Sequence, residues 1–233
     1  MPTPNPKLNT NVLAEVLVEI RFNPVKDVSL IVGSMNTELP AYPEFENLNA
    51  PDFPDLPLPP QFGSIVKYRF YSADRKKLYQ LGRGVLSMNT TDYKSYEEFK
   101  KDVKSVLTVF KKVSGVSEIS RIGLRYINKI SKGDKELKDL LTLSLNLPEE
   151  MVKDQKELSF QTVSKNNEDS IITRFQSSEL IPDKDVILDF DYFSEKTSEF
   201  NVENLLSWLE SAHTNVYNLF LTSLNKDYLE SLR

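Results

Sequence analysis

Cysteine is absent from this chain of 233 residues, which excludes disulfides, thiolate nucleophiles and cysteine-based zinc sites. Histidine occurs once, so a Ser-His-Asp triad would depend on His213 alone. The seven glycines do not fall in the order GxGxxG or GxxxxGK[ST], so the sequence predicts no phosphate-binding loop. Because the usual catalytic residue patterns are missing, we expect a non-enzymatic protein with no catalytic residues and no cofactor.

Long apolar runs are also missing, since none approaches the roughly 18 residues that a membrane-spanning helix needs. With 39% apolar and 27% charged residues, the composition predicts a soluble globular protein that makes no membrane contact. The first residues, Met1-Pro-Thr-Pro-Asn-Pro, form neither a basic region nor an apolar core, so we expect no secretory signal. A cytoplasmic location is the resulting expectation.

The charge distribution along the chain is strongly uneven. Residues 61–135 contain 17 Lys and Arg against 7 Asp and Glu, a net charge of +10, whereas the other residues sum to −15. Aromatic side chains lie among these cations, as in sites for single-stranded nucleic acid: Tyr68, Phe70, Tyr71, Tyr79, Tyr93, Tyr96, Phe99 and Tyr126. Alternatively, the basic and acidic parts face each other within one fold and neutralise each other there. Both interpretations stay open at this stage.

If the basic segment binds phosphates, seven cations are the candidate nucleic-acid-binding residues: Lys67, Arg69, Lys100, Lys104, Lys111, Arg125 and Lys129. Arg125 and Lys129 are expected on one face of a strand, where they could contact the same backbone of DNA or RNA. The competing hypothesis is a cross-strand ion pair of Arg125 with Glu15 or Glu19.

Hydrophobic periodicity and turn residues predict alternating groups of strands and helices. In chain order the prediction is a strand at 12–22, a helix at 28–39, a proline-rich loop at 40–60, a hairpin of 65–72 with 77–89, a helix at 96–113, a strand at 119–130, a helix at 137–145, strands at 157–165, 170–178 and 185–193, and a helix at 202–224.

This order predicts an α+β fold in which two long helices lie on one face of a curved antiparallel sheet. Saddle-like and helix-grip folds both satisfy it. The chain divides into a first half, residues 1–130, which includes the loop at 40–60, and a second half, residues 131–233, within one compact unit. The predicted elements form two similar series, one from the strand at 12–22 to the helix at 96–113 and one from the strand at 119–130 to the helix at 202–224. Each series opens with a long strand and closes with a long amphipathic helix. A diverged two-fold duplication is one interpretation of that likeness, although no residue-level repeat accompanies it.

Two strand motifs, Glu15-Val-Leu-Val-Glu-Ile-Arg-Phe22 and Ile122-Gly-Leu-Arg-Tyr-Ile-Asn128, resemble those of a sporadically distributed, uncharacterised prokaryotic protein family. The resemblance covers the chain loosely and is specific at these two motifs, and the proline-rich loop departs from it. It implies an association with antiviral defence. It also implies an accessory subunit that assembles with a protein partner, such as an Argonaute-type nuclease.

Two further groups are weighed as functional sites. Asp189 and Asp191 point to one face of a predicted strand and, with Glu15 and Glu19 nearby, could hold Mg²⁺. Alternating acids are also typical of a solvated sheet face, and we predict no metal site. His213 lies at the edge of an apolar helix stripe, where a hydrogen-bonded structural histidine is expected.

The sequence thus predicts a non-catalytic accessory subunit of a larger complex. It would contribute a basic surface for nucleic acid and an interface for a protein partner. The alternative is a stand-alone small-ligand binder or enzyme. In that case a cavity between helix and sheet would be lined by Asp189, Asp191, Glu15 and Arg125.

Overall fold

A computed structural model describes residues 12–48, 66–143, 148, 156–178 and 185–233. The strands are β1 (Leu13–Arg21), β2 (Glu44–Asn47), β3 (Val66–Tyr71), β4 (Lys77–Gly82), β5 (Val85–Thr90), β6 (Glu118–Ile119), β7 (Arg121–Ile130), β8 (Glu157–Asn166), β9 (Asp169–Ser178), β10 (Val186–Ser194) and β11 (Ser198–Glu199). The helices are α1 (Val28–Glu38), α2 (Tyr96–Ser114), α3 (Leu137–Leu140), α4 (Val202–Ser223) and α5 (Lys226–Ser231). The fold is therefore α+β, as predicted.

In the described ranges, nine strands form one antiparallel sheet in the order β2-β3-β4-β5-β1-β7-β10-β9-β8. The two strands that carry the family-like motifs, β1 and β7, are neighbours at its centre. The short strands β6 and β11 pair separately. This order places β1 between two segments from the middle of the chain, because it is hydrogen-bonded to β5 on one side and to β7 on the other.

Three predicted segments differ from the structure, and one of them is the helix predicted at 137–145, which ends at Leu140. The arm predicted at 77–89 with a bend at Gly82/Gly84 is two separate strands, β4 and β5, because the chain turns at residues 83–84 between them. The segment predicted as a loop at 40–60 contains β2, which lacks proline and so keeps the N–H groups that pair with β3. Residues 49–60 of that loop, and 144–145 of the predicted third helix, lie outside the described residues.

Helix α2 begins and ends where its capping residues stand. The Ser95 hydroxyl accepts a hydrogen bond from the Glu98 N–H at 3.2 Å, which satisfies one of the free donors of the first turn. Gly115 ends the helix with a φ of 69°, in the left-handed region that favours glycine. Lys111 and Lys112 lie in the last turn, where cations stabilise the carbonyl end.

The two faces of the central strands differ in burial. Val16, Val18 and Ile20 of β1 are buried, whereas the residues between them are half-buried. The registers place Tyr126 of β7 and Phe190 of β10 beside Val16, so one face of the sheet is apolar. Each fully buried side chain of this size contributes about 1.5–3 kcal/mol to folding.

Helices supply the rest of the apolar core. Helix α1 contacts β4, α2 contacts β5, and α4 contacts both β7 and β10, while α2 also packs against α1 and α4. Aromatic contacts tie these layers together, with Phe110 of α2 at 5.1 Å from Phe22 and 5.8 Å from Phe200, measured between ring centroids. No helix in the described part of the chain is long and apolar enough to cross a membrane.

Candidate functional site: the charged face of the sheet

The second face of the central strands carries charged side chains. Strand alternation and register place on it a set that we call the charged face: Glu15, Glu19, Arg21, Arg121, Arg125, Lys129, Arg174, Asp189 and Asp191. They come from β1, β7, β10 and β9, four adjacent strands. Because side chains of one strand face stand above the same surface, these groups form a continuous polar layer.

Asp189 is the centre of this layer. Its carboxylate accepts two hydrogen bonds from Arg125, with Nε at 2.8 Å and Nη2 at 2.7 Å, and one from Arg174 Nη1 at 3.0 Å. The Asp189 side chain is only 5% exposed, so both arginines shield it from water. The hydrogen bond to Asp189 raises the pKa of Arg125. Bidentate contacts of this kind are both strong and geometrically specific.

A second group of charged residues lies near the start of β7, around Arg121. Arg121 Nη1 is 3.0 Å from Glu19, and Arg121 Nη2 is 3.3 Å from Asp191. Glu19 also accepts a hydrogen bond from Arg21 Nε at 2.8 Å. Burial raises the pKa of Asp191, although the neighbouring arginines act in the opposite direction. The charged face therefore alternates cations and anions rather than presenting one sign.

Gly123 explains how the Arg121 guanidinium fits on the strand. A Cβ atom at position 123 would lie 2.7 Å from Arg121 Nη1, closer than non-bonded atoms approach. Arg121 also lies over the Phe193 ring, 4.7 Å from its centroid. The missing side chain of Gly123 thus leaves the space in which Arg121 reaches both of its carboxylate partners.

The cations predicted to contact phosphates are paired within the fold. Arg125 binds Asp189, and Lys129 Nζ lies 2.6 Å from Asp185, whose side chain is 3% exposed. Lys104 Nζ is 2.8 Å from Glu203, and Lys100 pairs with Glu210, both acids belonging to α4.

The remaining three predicted cations lie apart from these pairs. Arg69 of β3 donates from Nε to Gln80 at 3.0 Å and lies 3.8 Å from Glu46. Lys111 Nζ is 3.4 Å from the Val116 carbonyl oxygen, and Lys67 is on β3. The structure brings Arg125 and Lys129 together on one strand face, but Lys100, Lys104 and Lys111 lie on α2.

The aromatic residues that could have stacked on bases are mostly core residues. Phe70, Tyr79, Tyr96, Phe99 and Tyr126 are buried. Phe70 and Tyr79 stack on each other with ring centroids 4.4 Å apart. Since a buried ring has no free face, these residues do not form a stacking platform for nucleic acid, and that part of the prediction is corrected.

His213 is a structural histidine in its contacts. Its Nδ1 lies 2.7 Å from the Tyr126 hydroxyl oxygen, and its ring stacks on Tyr96 with centroids 3.9 Å apart. Burial lowers the pKa of His213 to about 4. The ring is therefore neutral at physiological pH, as expected for a histidine that belongs to the packing between α2, α4 and β7.

The lining proposed for a cavity between helix and sheet is not supported. Tyr126 lies on the apolar face, where α4 contacts it through His213. Its neighbour Arg125 lies on the opposite face, so Arg125 does not line a space between α4 and the sheet. Asp189 and Asp191 do share a strand face, as predicted, but arginines occupy both carboxylates. Within the described ranges, no group of three or more acidic or histidine side chains could hold a metal ion.

Sequence reasoning missed Arg121, Arg174 and Asp185. Arg174 stands between Thr173 and Phe175 in β9, and Arg121 stands two residues before a strand glycine. These sequence features indicate that Arg174 and Arg121 lie on a polar strand face, but they do not indicate which carboxylate each arginine binds. The prediction also paired Arg125 with β1, whereas its partner Asp189 comes from β10 on the other side of β7.

Comparison with known proteins finds no matching family model and no matching curated protein. The resemblance to an uncharacterised prokaryotic family accordingly stays a prediction.

Proposed function

We propose that the chain is a non-catalytic accessory subunit that binds a protein partner through the charged face of its sheet. The observation that carries the proposal is the layer of paired arginines and carboxylates on that face. A salt-bridged layer holds its side chains in fixed positions, and fixed alternating charges select a partner with the complementary pattern. Phosphates would have to displace carboxylates from arginines already bound to them, so a protein surface suits this face better.

Apolar side chains among the charges also favour a protein partner. Leu17, Ile127 and Ile172 lie on the same face and are half-buried. Interfaces combine apolar contact area with polar groups that set register and specificity. The partner implied by the family resemblance is the main component of a defence complex, such as an Argonaute-type nuclease.

The proposal includes the arrangement of the whole sheet. Both long helices lie on the apolar face. Lys77 is in the same cross-strand row as Tyr126, through Thr90 and Val16, and its Nζ lies 2.7 Å from Asp102 of α2. Tyr126 itself contacts α4 through His213. Among the described residues, these helix contacts fall on the apolar face, and the proposal assigns the charged face to the partner.

A two-fold duplication is supported by the strand order. Outward from the centre, β1 is followed by β5, β4 and β3, and β7 is followed by β10, β9 and β8. In each series the central strand comes first in the chain and is followed later in the chain by a three-strand meander, β3-β4-β5 or β8-β9-β10. The last strand of the meander lies next to the central strand, and the first lies farthest from it. On this hypothesis the second half begins at β7, which the division predicted at 130/131 assigns to the first half, and the charged face spans the junction of the halves.

The test is capture of the partner by a tagged chain, with mass spectrometry of the native complex. In the strand register Ile127 lies opposite Glu15 and Asp189, so an arginine there is compatible with the fold. We expect Ile127→Arg to weaken partner binding at least about tenfold, because a charged side chain replaces apolar contact area in the interface.

Leu30→Arg is the matched control, since Leu30 of α1 is 74% exposed and lies away from the charged face. Melting temperatures of both variants report whether the fold is intact. Retention of an equimolar partner by folded Ile127→Arg would contradict the proposal, as would equal losses in the two variants.

A second candidate function is nucleic-acid contact through α2. The observation that favours it is that Lys104 and Lys112 of this helix remain more than half exposed although each has an acidic partner. These cations lie along one helix and could follow a phosphate backbone without sequence preference.

A further inference from the structure

The two edges of the nine-stranded sheet differ in their protection. The edge strand β2 has four residues, and prolines at positions 43 and 51 stand on either side of it. The other edge strand, β8, has ten residues and contains no proline. Its pairing with β9 runs from Glu157 to Asn166 without a bulge. Short edges, prolines, bulges and charged side chains are the devices by which proteins block strand addition, and of these β8 has only the charged residues Glu157 and Lys165 near its two ends.

Within the described part of the chain, β8 has β9 as its single neighbour in the sheet. Half of its backbone N–H and C=O groups therefore point away from the sheet, where they could pair with another strand. Its Phe160 ring stacks on Phe175 with centroids 5.0 Å apart, which holds the strand against the core. Val163 is 64% exposed. The edge is thus long and largely exposed, and Phe160 attaches it to the core.

We propose that β8 pairs antiparallel with β8 of a second copy of this chain, joining two sheets across a two-fold axis at Gln161. Residues on one strand face must meet residues on the same face of the other copy. In this register Glu157 lies opposite Lys165 of the second copy, and Phe160 lies opposite Thr162. By symmetry each pair occurs twice.

Charge complementarity selects this register. Glu157 and Lys165 are the charged residues of β8, and they stand near its two ends. A shift by two residues in one direction places Glu157 opposite Val163, and in the other direction places Lys165 opposite Ser159. Opposite charges and aromatic–β-branched pairs are the cross-strand combinations that stabilise sheets. Gln176 Nε2 donates to Glu157 at 3.2 Å and helps to position that carboxylate.

The experiment uses charge reversal in sedimentation equilibrium of the full chain over a range of concentrations. Wild type is expected to show a reversible equilibrium between the 26.8 kDa chain and a species of twice that mass. Glu157→Lys and Lys165→Glu should each weaken self-association by about tenfold or more, because like charges then face each other at both ends of the pairing.

A one-to-one mixture of the two variants should recover the wild-type affinity. In the mixed dimer, the copy with Glu157→Lys carries lysine at both positions and the copy with Lys165→Glu carries glutamate at both, so both ion pairs are restored. The control for a charge change elsewhere is Glu230→Lys on α5, and it should dimerise like wild type, since Glu230 pairs with Arg233 of its own chain at 2.6 Å. Circular dichroism checks that each variant is folded.

Several results would overturn the inference. They are a wild-type chain that stays monomeric at every concentration, a dimer indifferent to either reversal, or a mixture that does not recover. Association that grows without limit would indicate unspecific edge aggregation, and occupation of β8 by a strand of another protein would also refute the second copy. The inference is independent of the proposed function, because it concerns the edge of the sheet and not its charged face.

Discussion

At the residue scale, Gly123 and Arg121 form the most constrained pair on the charged face. We expect Gly123→Ala to lower the free energy of unfolding by no more than about 1 kcal/mol, because the new Cβ displaces the flexible end of the Arg121 side chain and weakens its contacts with Glu19 and Asp191. Urea denaturation measures this change. In an Arg121→Ala background the same substitution should cost nothing or stabilise slightly, since alanine is better than glycine in a strand. Equal costs in both backgrounds would contradict the explanation.

His213 predicts a dependence of stability on pH. In the unfolded chain its pKa is about 6.5, whereas burial lowers the pKa to about 4 in the fold. Between these values the unfolded chain binds a proton that the folded chain does not, so stability falls as pH falls. The loss relative to neutral pH is on the order of 2–3 kcal/mol.

The measurement is urea denaturation across the interval from about pH 7 to about pH 4.5, with His213→Gln as the comparison. Glutamine can still bond to the Tyr126 hydroxyl but does not titrate, so this variant should lose the histidine contribution. The raised pKa of Asp191 acts in the opposite direction and is common to both proteins. Parallel pH profiles for the two proteins would show that His213 does not contribute.

At the element scale, the lysines of α2 separate two hypotheses about the basic segment. If Lys100 and Lys104 contact phosphates, changing both to Gln should weaken nucleic-acid binding. It should also reduce the slope of log affinity against log salt by about 0.7–0.9 for each phosphate that is no longer neutralised. Filter binding across a salt series measures both quantities.

The matched control also changes their α4 partners, as Lys100→Gln and Lys104→Gln combined with Glu203→Gln and Glu210→Gln. In the fourfold variant the acids are removed together with their lysines, so no unpaired carboxylate remains at these positions to repel nucleic acid. Phosphate contact predicts the same reduced slope in both proteins. Recovery of wild-type behaviour in the fourfold variant would mean that these lysines only balance the acids of α4.

The elements themselves were largely predictable, for local reasons. The helix at 96–113 followed from the capping pair Ser95 and Glu98 and the glycine at its end, and the structure places α2 at Tyr96–Ser114. Strand β1 followed from its alternation of apolar and polar residues. The short strand β2 was missed, because four residues among prolines give no periodic signal and the strand exists through its pairing with β3.

At the scale of the whole molecule, the charge asymmetry is resolved by packing. The basic helix α2 lies against the acidic residues of α4, and the cations of β7 lie between carboxylates of β1 and β10. Much of the +10 segment is therefore neutralised across elements that are distant in the chain. A charge count along the sequence cannot separate a binding surface from such an internal balance, because both have the same composition.

What the sequence alone determined was local: the α+β class, most strand and helix positions, and the residues that share a strand face. Alternation and capping are properties of neighbouring residues, so they can be recognised without a fold. Tertiary structure alone decided the partners. It paired Arg125 with Asp189 rather than with β1, buried the aromatics of the basic segment, and left β8 as the long sheet edge. Those outcomes depend on strand order and register, which bring together residues far apart in the chain.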